Sequence, residues 1–405
     1  MRRAGCQLDD RTKSRLLTTP STSRRLVAVD VARCLALLGM VATHVLEART
    51  ADGDLAFGQA LAGGRASALF AVLAGVSIGL VAARRTRSRD NSRARTSVAL
   101  VVRAALVGAI GLLLAEVDSG IAIILTYYAV LFVLVLPFLG LSGRWLAGCA
   151  AAWVLVAPVL SHWLRPRLPE RGFESPSWGQ LVDDPMGLLA ELTFSGYYPA
   201  VVWLAYLLVG LAVARLDLTA RRTALALAGG GAALAVLATA ASRALTAQPM
   251  VERALLADPP STAATPEVLL DRIAQGLPGT TPTGGAWEWL LVVAPHSATP
   301  FDLVQTIGSA LAVIGLALLA VGATSGAATR AVAIFFGAGT MTLTLYSLHV
   351  VCRAPGLLPD ALRDSYQFHA LLLLSIGALF AAVGRRGPLE RIVASASRRV
   401  AGTSG

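Results

Sequence analysis

Apolar segments of about twenty residues dominate this chain and recur along most of its length. About 20 apolar residues are what a helix needs to cross the hydrocarbon core of a bilayer, where backbone polar groups must be satisfied internally. Hydrophobic residues make up 55% of the 405 residues, and charged residues only 15%. The chain is therefore predicted to form an all-α, polytopic integral membrane helix bundle rather than two or three soluble domains.

The apolar segments predict about ten membrane-spanning helices. Their approximate ranges are 26–46, 64–83, 98–115, 120–141, 145–163, 197–214, 223–245, 301–322, 331–352 and 367–384. The separation between the third and fourth segments is very short, so the number of spans between residues 98 and 142 is open.

Charge is distributed unequally between the loops. If the N-terminus is cytoplasmic, the even-numbered loops and both tails hold most of the Arg and Lys, with the Arg-rich segment 84–95 as the strongest marker. The opposite loops hold most of the Asp and Glu. This is the positive-inside pattern of multi-pass proteins in an inner or plasma membrane, and ten spans place both termini in the cytoplasm. The net charge of +11 is then a topology signal and does not indicate nucleic-acid binding.

Domain boundaries follow from the same pattern. Residues 1–25 are predicted to form a disordered, basic cytoplasmic tail, and residues 385–405 a second basic cytoplasmic tail. The membrane domain fills 26–384 and carries two long outer loops, 164–196 and 246–300. Segments of this length lie on the membrane interface or cover a cavity.

Aromatic and cysteine residues are less specific. The sequence WEW at 287–289 fits an interfacial aromatic anchor, and it also fits a platform on which a sugar could stack. The four cysteines are scattered without the spacing of a disulfide framework or a metal site, so no metal is expected.

Three polar residues interrupt the first apolar segment. Asp30 and Arg33 are three residues apart, so they can pair on one helix face, and His44 follows eleven residues after Arg33. At 1.5 Å per residue, Arg33 and His44 lie about 16 Å apart along the helix. Ionisable groups inside a membrane are candidates for a functional site. Arg33 suits an anion such as phosphate, and Arg103 could join it or extend to the lipid headgroups.

All five histidines fall at the outer side in this topology: His44, His162, His296, His349 and His369. In GTMTLTLYSLHV, Tyr346 and His349 are three residues apart and therefore share a helix face. The segments ILTYYAVLF at 124–132 and FSGYYP at 194–199 add tyrosines at the same level, which an aromatic belt would also explain.

The sequence DVARCLALLGMVATH resembles the first-helix signature of the acyltransferase type three family, in which Asp, Arg and His recur at this spacing. The segments 65–85, GTMTLTLYSLHV and GPLERIV at 387–393 resemble another branch of the transmembrane acyl transferase superfamily. That branch holds the bacterial YeiB-type and heparan-α-glucosaminide N-acetyltransferase-like proteins. The heparan-type enzymes carry an active histidine in the first outer loop, whereas residues 55–64 contain none here.

The resemblance implies a membrane acyltransferase. Acyl-CoA, with acetyl-CoA as the expected donor, would bind from the cytoplasm near Arg33, Asp30 and Arg103. His44 would act as general base or acyl carrier, and Tyr346 and His349 would orient the acceptor or stabilise the oxyanion. The acceptor would be a hydroxyl or amine of an extracytoplasmic glycan or lipid-linked sugar. Membrane lipids are the expected surroundings, and a homo-oligomer is an option. The alternatives are a transporter or flippase for a lipid-linked or small anionic solute, and a non-catalytic membrane scaffold or sensor.

Overall fold

The computed structural model describes residues 20–86, 92–171, 175–257, 265–400 and 402. Within these ranges the helices are α1 (Pro20–Val45), α2 (Phe57–Ala62), α3 (Arg65–Thr86), α4 (Ser92–Ala115), α5 (Leu125–Leu134), α6 (Gly143–Leu164), α7 (Trp178–Asp183), α8 (Pro185–Ala190), α9 (Ala200–Val213), α10 (Arg221–Thr246), α11 (Pro249–Leu256), α12 (Pro266–Gln275), α13 (Pro300–Gly322), α14 (Gly326–Phe335), α15 (Thr342–Cys352), α16 (Asp360–Arg363), α17 (Tyr366–Ala382) and α18 (Pro388–Val400). Short 3₁₀ segments lie at Leu136–Gly140, Arg165–Arg167, Trp287–Leu291 and Gly337–Thr340, and Glu191–Ser195 is a π-helical turn. The described residues form no β-strand beyond one isolated bridge, which confirms the all-α prediction.

Six helices among the described residues are long and apolar enough to cross a membrane. They are Leu26–Val45, Phe57–Ala83 (α2 together with most of α3), Ala94–Ala115, Gly143–Arg167 (α6 with the 3₁₀ turn that follows it), Arg221–Thr246 and Pro300–Gly322. A seventh span arises if Pro185–Ser195 and Ala200–Val213, which meet at a 49° bend, are counted together. Four further apolar helices, α5, α14, α15 and α17, are shorter. The protein is therefore a membrane helix bundle, while the predicted number of about ten spans and the placement of the termini stay predictions.

The predicted ninth span, 331–352, is broken in the structure. Its two halves are α14 and α15, and Gly337–Thr340 joins them as a 3₁₀ turn. At Gly339 a Cβ atom would collide with the backbone carbonyl of Asp30, so the turn is packed directly on α1. The prediction of a single helix was wrong here, because Gly and Ala count as apolar in sequence while the close contact requires an interrupted helix.

Small residues bring several helices into close contact. A Cβ atom at Gly231 would lie 2.6 Å from backbone atoms of Gly308 and Ala312, so α10 and α13 pack nearly backbone to backbone. Gly75 of α3 and Gly210 of α9 make an equally close pair. Such small-residue contacts replace the hydrophobic driving force that helices lack in lipid.

The two long connections contain helices of their own. The segment 246–300 includes α11 and α12 and has a separate small hydrophobic core formed by Leu255, Leu269, Leu277, Trp289, Val292 and Ala294. Asp271 of this segment forms a bidentate pair with Arg49, at 2.7 and 2.6 Å, which ties it to the connection between α1 and α2. Of the two tryptophans in WEW, only Trp287 is accessible, since Trp289 is 1% exposed. The two rings therefore cannot form one exposed platform, and the interfacial anchor or the sugar-stacking surface would be Trp287 alone.

The predicted disordered tail falls mostly outside the described residues, which begin at residue 20. Residues 20–25, its last part, belong to α1. Of the Arg-rich segment 84–95, residues 87–91 also lie outside the described part of the chain. At the other end, α18 packs against α4 and α15, so this portion of the predicted C-terminal tail is part of the folded bundle.

Candidate active site

A cavity of about 540 Å³ lies between α1, α3, α4, α5, α15 and α18. Its lining on α1 extends from Leu26 through Arg33 to Met40, which is about 21 Å of helix at 1.5 Å per residue. The cavity therefore follows α1 for most of a membrane thickness. We call the end near Leu26 the basic end and the end near Met40 the deep end.

Four guanidinium groups line the cavity toward the basic end, and they belong to Arg33, Arg103, Arg386 and Arg398. One carboxylate, Glu390, lines it with them. That carboxylate accepts hydrogen bonds from the backbone N–H and the hydroxyl of Thr344, at 3.1 and 2.6 Å. Positive charge is thus in excess at this end, and an anion such as a phosphate would be attracted there.

Arg33 is held in the cavity wall by two neighbours. Its Nη1 donates to Asp30 at 2.7 Å, and its Nη2 donates to the hydroxyl of Ser77 at 2.5 Å. The pairing that the spacing of Asp30 and Arg33 allowed is therefore present. Asp30 itself lines a second cavity of about 350 Å³, together with Arg330, Arg385 and Arg386. The carboxylate thus orients Arg33 from outside the larger cavity.

Arg103 lies in the wall of the larger cavity as well. Its guanidinium is 5.4 Å from the centre of the Phe132 ring, which is a cation–π distance. It forms no ion pair with any described residue. Arg103 therefore borders the same cavity as Arg33, and both of its predicted roles stay predictions.

Two tyrosines close the deep end of the cavity, Tyr128 on α5 and Tyr346 on α15. Both rings are almost fully buried, and neither hydroxyl has a hydrogen-bond partner among the described residues. A buried hydroxyl without a partner costs about 1–3 kcal/mol. An acceptor oxygen brought within reach of either hydroxyl would remove this cost. Tyr346 is among the predicted site residues, whereas Tyr128 is not, because an aromatic belt also explains its position. No pattern in the sequence separates these two explanations.

Three histidines from distant parts of the chain form a continuous chain of ring contacts. His44 Nδ1 lies 3.2 Å from His349 Nε2, and His349 Nδ1 lies 3.1 Å from His369 Nδ1. The series ends where His369 Nε2 meets the backbone carbonyl of Arg363 at 2.9 Å. His349 and His369 are fully buried, and His44 is half-buried. The sequence singled out His44 and His349, whereas it gave His369 no more than an interfacial position.

The histidine chain lies just beyond the cavity. His44 is not part of the cavity wall, but Met40 is, one helical turn earlier on α1. Similarly, Tyr346 lines the cavity and His349 follows it by one turn on α15. The cavity that contains Arg33 in its wall therefore ends about one helical turn from the His44–His349 contact.

The remaining two histidines lie in other surroundings. His296, in the segment before α13, contacts the rings of Tyr197 and Tyr198, with centroids 4.9 and 5.7 Å away. Burial lowers the pKa of His296 to about 4, so its ring is neutral at physiological pH. Its backbone has φ of 59°, which is uncommon for a residue with a side chain. His162 instead contacts Thr281 in the segment 246–300, with 3.2 Å between Nδ1 and the hydroxyl oxygen.

The described residues contain no group of three or more His, Cys, Asp or Glu side chains arranged to hold a metal ion. The cavity and the histidine chain present guanidinium, hydroxyl and imidazole groups. Such groups serve general acid–base catalysis and charge stabilisation in acyl transfer.

Comparison with known proteins gives one result that bears on this site. No curated protein matches the chain. The family model described as heparan-alpha-glucosaminide N-acetyltransferase, catalytic, matches residues 25–247. That range is more than half of the chain and includes Arg33, His44, Arg103 and Tyr128, while Tyr346, His349 and His369 lie after it. The chain therefore belongs to the family of the heparan-α-glucosaminide N-acetyltransferase catalytic domain, a family of membrane acetyltransferases.

Proposed function

We propose that the protein is a membrane-bound acetyltransferase that takes its acetyl group from acetyl-CoA in the cytoplasm. The acceptor is a hydroxyl or amine of a glycan or lipid-linked sugar on the opposite side of an inner or plasma membrane. The observation that carries this proposal is the 540 Å³ cavity, which connects a cluster of arginines to two unpartnered tyrosine hydroxyls near His44.

The two ends of the cavity suit the two ends of acyl-CoA. The nucleotide carries the negative charge, and Arg33, Arg103 and Arg386 would pair with its phosphates at the basic end. The pantetheine arm is long and mostly uncharged, which fits the apolar middle of the cavity. The thioester would then lie at the deep end, within reach of Tyr128 and Tyr346.

The reaction follows from the groups at the deep end. The Nε2 atom of His44 would accept the proton of the acceptor hydroxyl or amine while a bond forms to the acyl carbon. The hydroxyls of Tyr128 and Tyr346 would donate hydrogen bonds to the oxygen on which negative charge develops. The bond between the acyl carbon and sulfur breaks, and the thiolate of CoA takes the proton from His44.

The interrupted helices favour a second candidate function. Transporters place their substrates at breaks in membrane helices, and this chain has one break at Gly337–Thr340 and a bend between Ser195 and Ala200. A transporter or flippase for a lipid-linked or small anionic solute would use the same cavity. A non-catalytic scaffold would need neither the arginines nor the tyrosines.

Acetyl-CoA that is labelled separately in its acetyl group and its adenine distinguishes these functions. The protein is reconstituted in liposomes, with the labelled acetyl-CoA outside and glucosamine, an amine-bearing sugar, inside. We expect the acetyl label to appear on internal glucosamine while the adenine label stays outside. Entry of both labels would indicate transport, and entry of neither would contradict acetyl transfer to an amino sugar.

Substitutions then test the site. His44→Ala is expected to abolish transfer while leaving expression and detergent stability intact, and full retained activity would overturn the assignment of His44. Arg103→Gln breaks no ion pair and loses one cation–π contact with Phe132, so its main effect should be on ligand binding. A charge-assisted contact is worth about 1.5–3 kcal/mol, which corresponds to an increase of roughly 10–150-fold in the Kd for acetyl-CoA. Arg222→Gln, at the exposed start of α10 and away from the cavity, is the matched control for lost charge.

A further inference from the structure

The contacts of the histidine chain determine which ring nitrogens carry hydrogen. The carbonyl oxygen of Arg363 can only accept, so His369 must donate to it from Nε2, at 2.9 Å. A neutral imidazole has one N–H and one lone pair. The Nδ1 atom of neutral His369 is therefore an acceptor, and the hydrogen in its 3.1 Å contact must come from Nδ1 of His349.

The same reasoning continues to His44. If His349 carries its hydrogen on Nδ1, its Nε2 has a lone pair and can only accept. His44 Nδ1, which lies 3.2 Å away, must then be the donor. With all three rings neutral, no other arrangement satisfies every contact. His44 is left with an unprotonated Nε2, and this atom makes no hydrogen bond to any described residue.

We propose that His369 is a positioning residue: anchored by the carbonyl of Arg363, it fixes the tautomer of His349 and, through it, that of His44. The result is that the lone pair of His44 lies on Nε2, the nitrogen directed away from the other two histidines. This role rests on the proposed acetyl transfer, in which His44 Nε2 is the general base. Without the anchor, His44 could carry its hydrogen on Nε2 and could not accept a proton there.

The charged groups near the three histidines are compatible with three neutral rings. Arg353 at the end of α15 is close to His349 and His369, but it is paired with Asp364. His296, the other titratable group in range of His44, is neutral for the reason given above. No described carboxylate contacts any of the three rings directly. The carboxylate of Asp364 is in electrostatic range of His369, but it is already paired with Arg353 and Arg363.

The tautomers can be measured without any assay of activity. Solid-state NMR of the ¹⁵N-histidine-labelled, full-length protein in lipid at pH 8 distinguishes Nδ1–H from Nε2–H in each ring. The variants His162→Gln and His296→Gln each lack one signal, which identifies the signals of these two residues, and the remaining three signals belong to His44, His349 and His369. We expect His44 and His349 to carry hydrogen on Nδ1, and His369 on Nε2. Hydrogen on Nε2 of His44 would overturn the proposal, whether or not the protein transfers acetyl groups.

Two substitutions of His369 test the role in catalysis. Asn has an amide oxygen that can accept from His349 Nδ1–H, whereas Phe fills the space but offers no acceptor. His369→Phe is expected to lower kcat by about 10²–10⁴-fold, because a base in the wrong tautomer loses most of its catalysis. His369→Asn should retain kcat within about tenfold of the wild type. Neither should alter the Kd for acetyl-CoA measured by calorimetry.

The outcomes separate this inference from the proposed function. Equal loss of kcat in both variants, with unchanged unfolding temperatures, would contradict positioning through the acceptor atom. If His369→Phe does not fold, the comparison of His369→Asn with the wild type and the NMR measurement still decide. If the wild-type protein transfers no acetyl group but shows the expected tautomers, the proposed function is wrong, while the tautomers inferred for the three histidines are confirmed.

Discussion

Replacing Tyr346 with phenylalanine separates two effects that most substitutions in an active site combine. The hydroxyl of Tyr346 is buried at the deep end of the cavity and has no partner among the described residues. Leaving such a group unpaired costs about 1–3 kcal/mol, and phenylalanine removes it without changing the shape of the ring. Tyr346→Phe is therefore expected to raise the stability of the protein without ligand by up to a few kcal/mol.

The same hydroxyl is predicted to stabilise charge that develops on the thioester oxygen. Loss of one such donor lowers kcat by about 10²–10³-fold, which is roughly 2.7–4 kcal/mol of transition-state stabilisation. The variant should thus be more stable and much less active. Unfolding temperature in detergent, measured by intrinsic fluorescence, and transfer of radiolabelled acetyl groups from acetyl-CoA give the two readouts.

Tyr206→Phe is the matched control. Its hydroxyl is also buried, but it makes a 2.8 Å hydrogen bond to the hydroxyl of Thr306, and the residue does not line the cavity. This variant should lose about 0.5–1.5 kcal/mol of stability and keep its activity. The reasoning is refuted if Tyr346→Phe retains wild-type kcat, or if it loses as much stability as Tyr206→Phe.

Further predictions concern packing, pH and topology. Gly339→Ala should destabilise the protein by about 1–3 kcal/mol or more, because a Cβ atom there collides with the backbone. Gly148→Ala, where a Cβ atom has nothing within 4 Å, should instead raise the free energy of unfolding by about 0.5–1 kcal/mol. Equal unfolding temperatures of the two variants would contradict both expectations. Because burial holds the pKa of His296 near 4, acidification from pH 6.5 to 4 protonates only the unfolded state at this residue and lowers stability. His296→Leu should weaken that pH dependence in thermal unfolding, and an unchanged slope would count against it. Reporter fusions at residues 90 and 270 should lie inside and outside the cell, respectively, and the reverse would invert the proposed direction of transfer.

The sequence alone predicted the features that depend on the length of apolar segments or on spacing along one helix. Runs of apolar residues predicted the helical membrane class, and the i, i+3 spacing of Asp30 and Arg33 predicted a pair that the structure contains. Each of these follows from composition or from contacts along a single helix, which are visible in one sequence.

The break between α14 and α15 depends instead on contacts between distant parts of the chain. The segment Gly337–Thr340 contains no charged residue, so hydropathy averaged over about twenty residues predicts one span across it. The helix is interrupted where Gly339 packs on the backbone of Asp30, more than 300 residues earlier in the sequence. A contact of this kind leaves no local pattern, and it could not be predicted from one sequence.

The histidine chain has the same character. His44 and His349 are 305 residues apart, and His349 and His369 are 20 residues apart on different helices. A single sequence shows only that several histidines fall near one predicted face of the membrane. It cannot show that Arg363 contributes a backbone carbonyl, since that group is common to every residue and is distinguished only by its position.

The distribution of the site along the chain explains why the family match alone does not describe it. Residues 25–247, which match the family, supply Arg33, Arg103 and Tyr128 in the cavity wall, together with His44. The part of the chain after that range supplies the groups that act on these: Tyr346 beside Tyr128 in the cavity, and His349 with His369 behind His44. These later residues reach α1 because α13, α15 and the Gly337–Thr340 turn all pack against it. If the tautomer argument is correct, the matched part holds the base, and the remainder of the chain decides whether that base is in the form that can accept a proton.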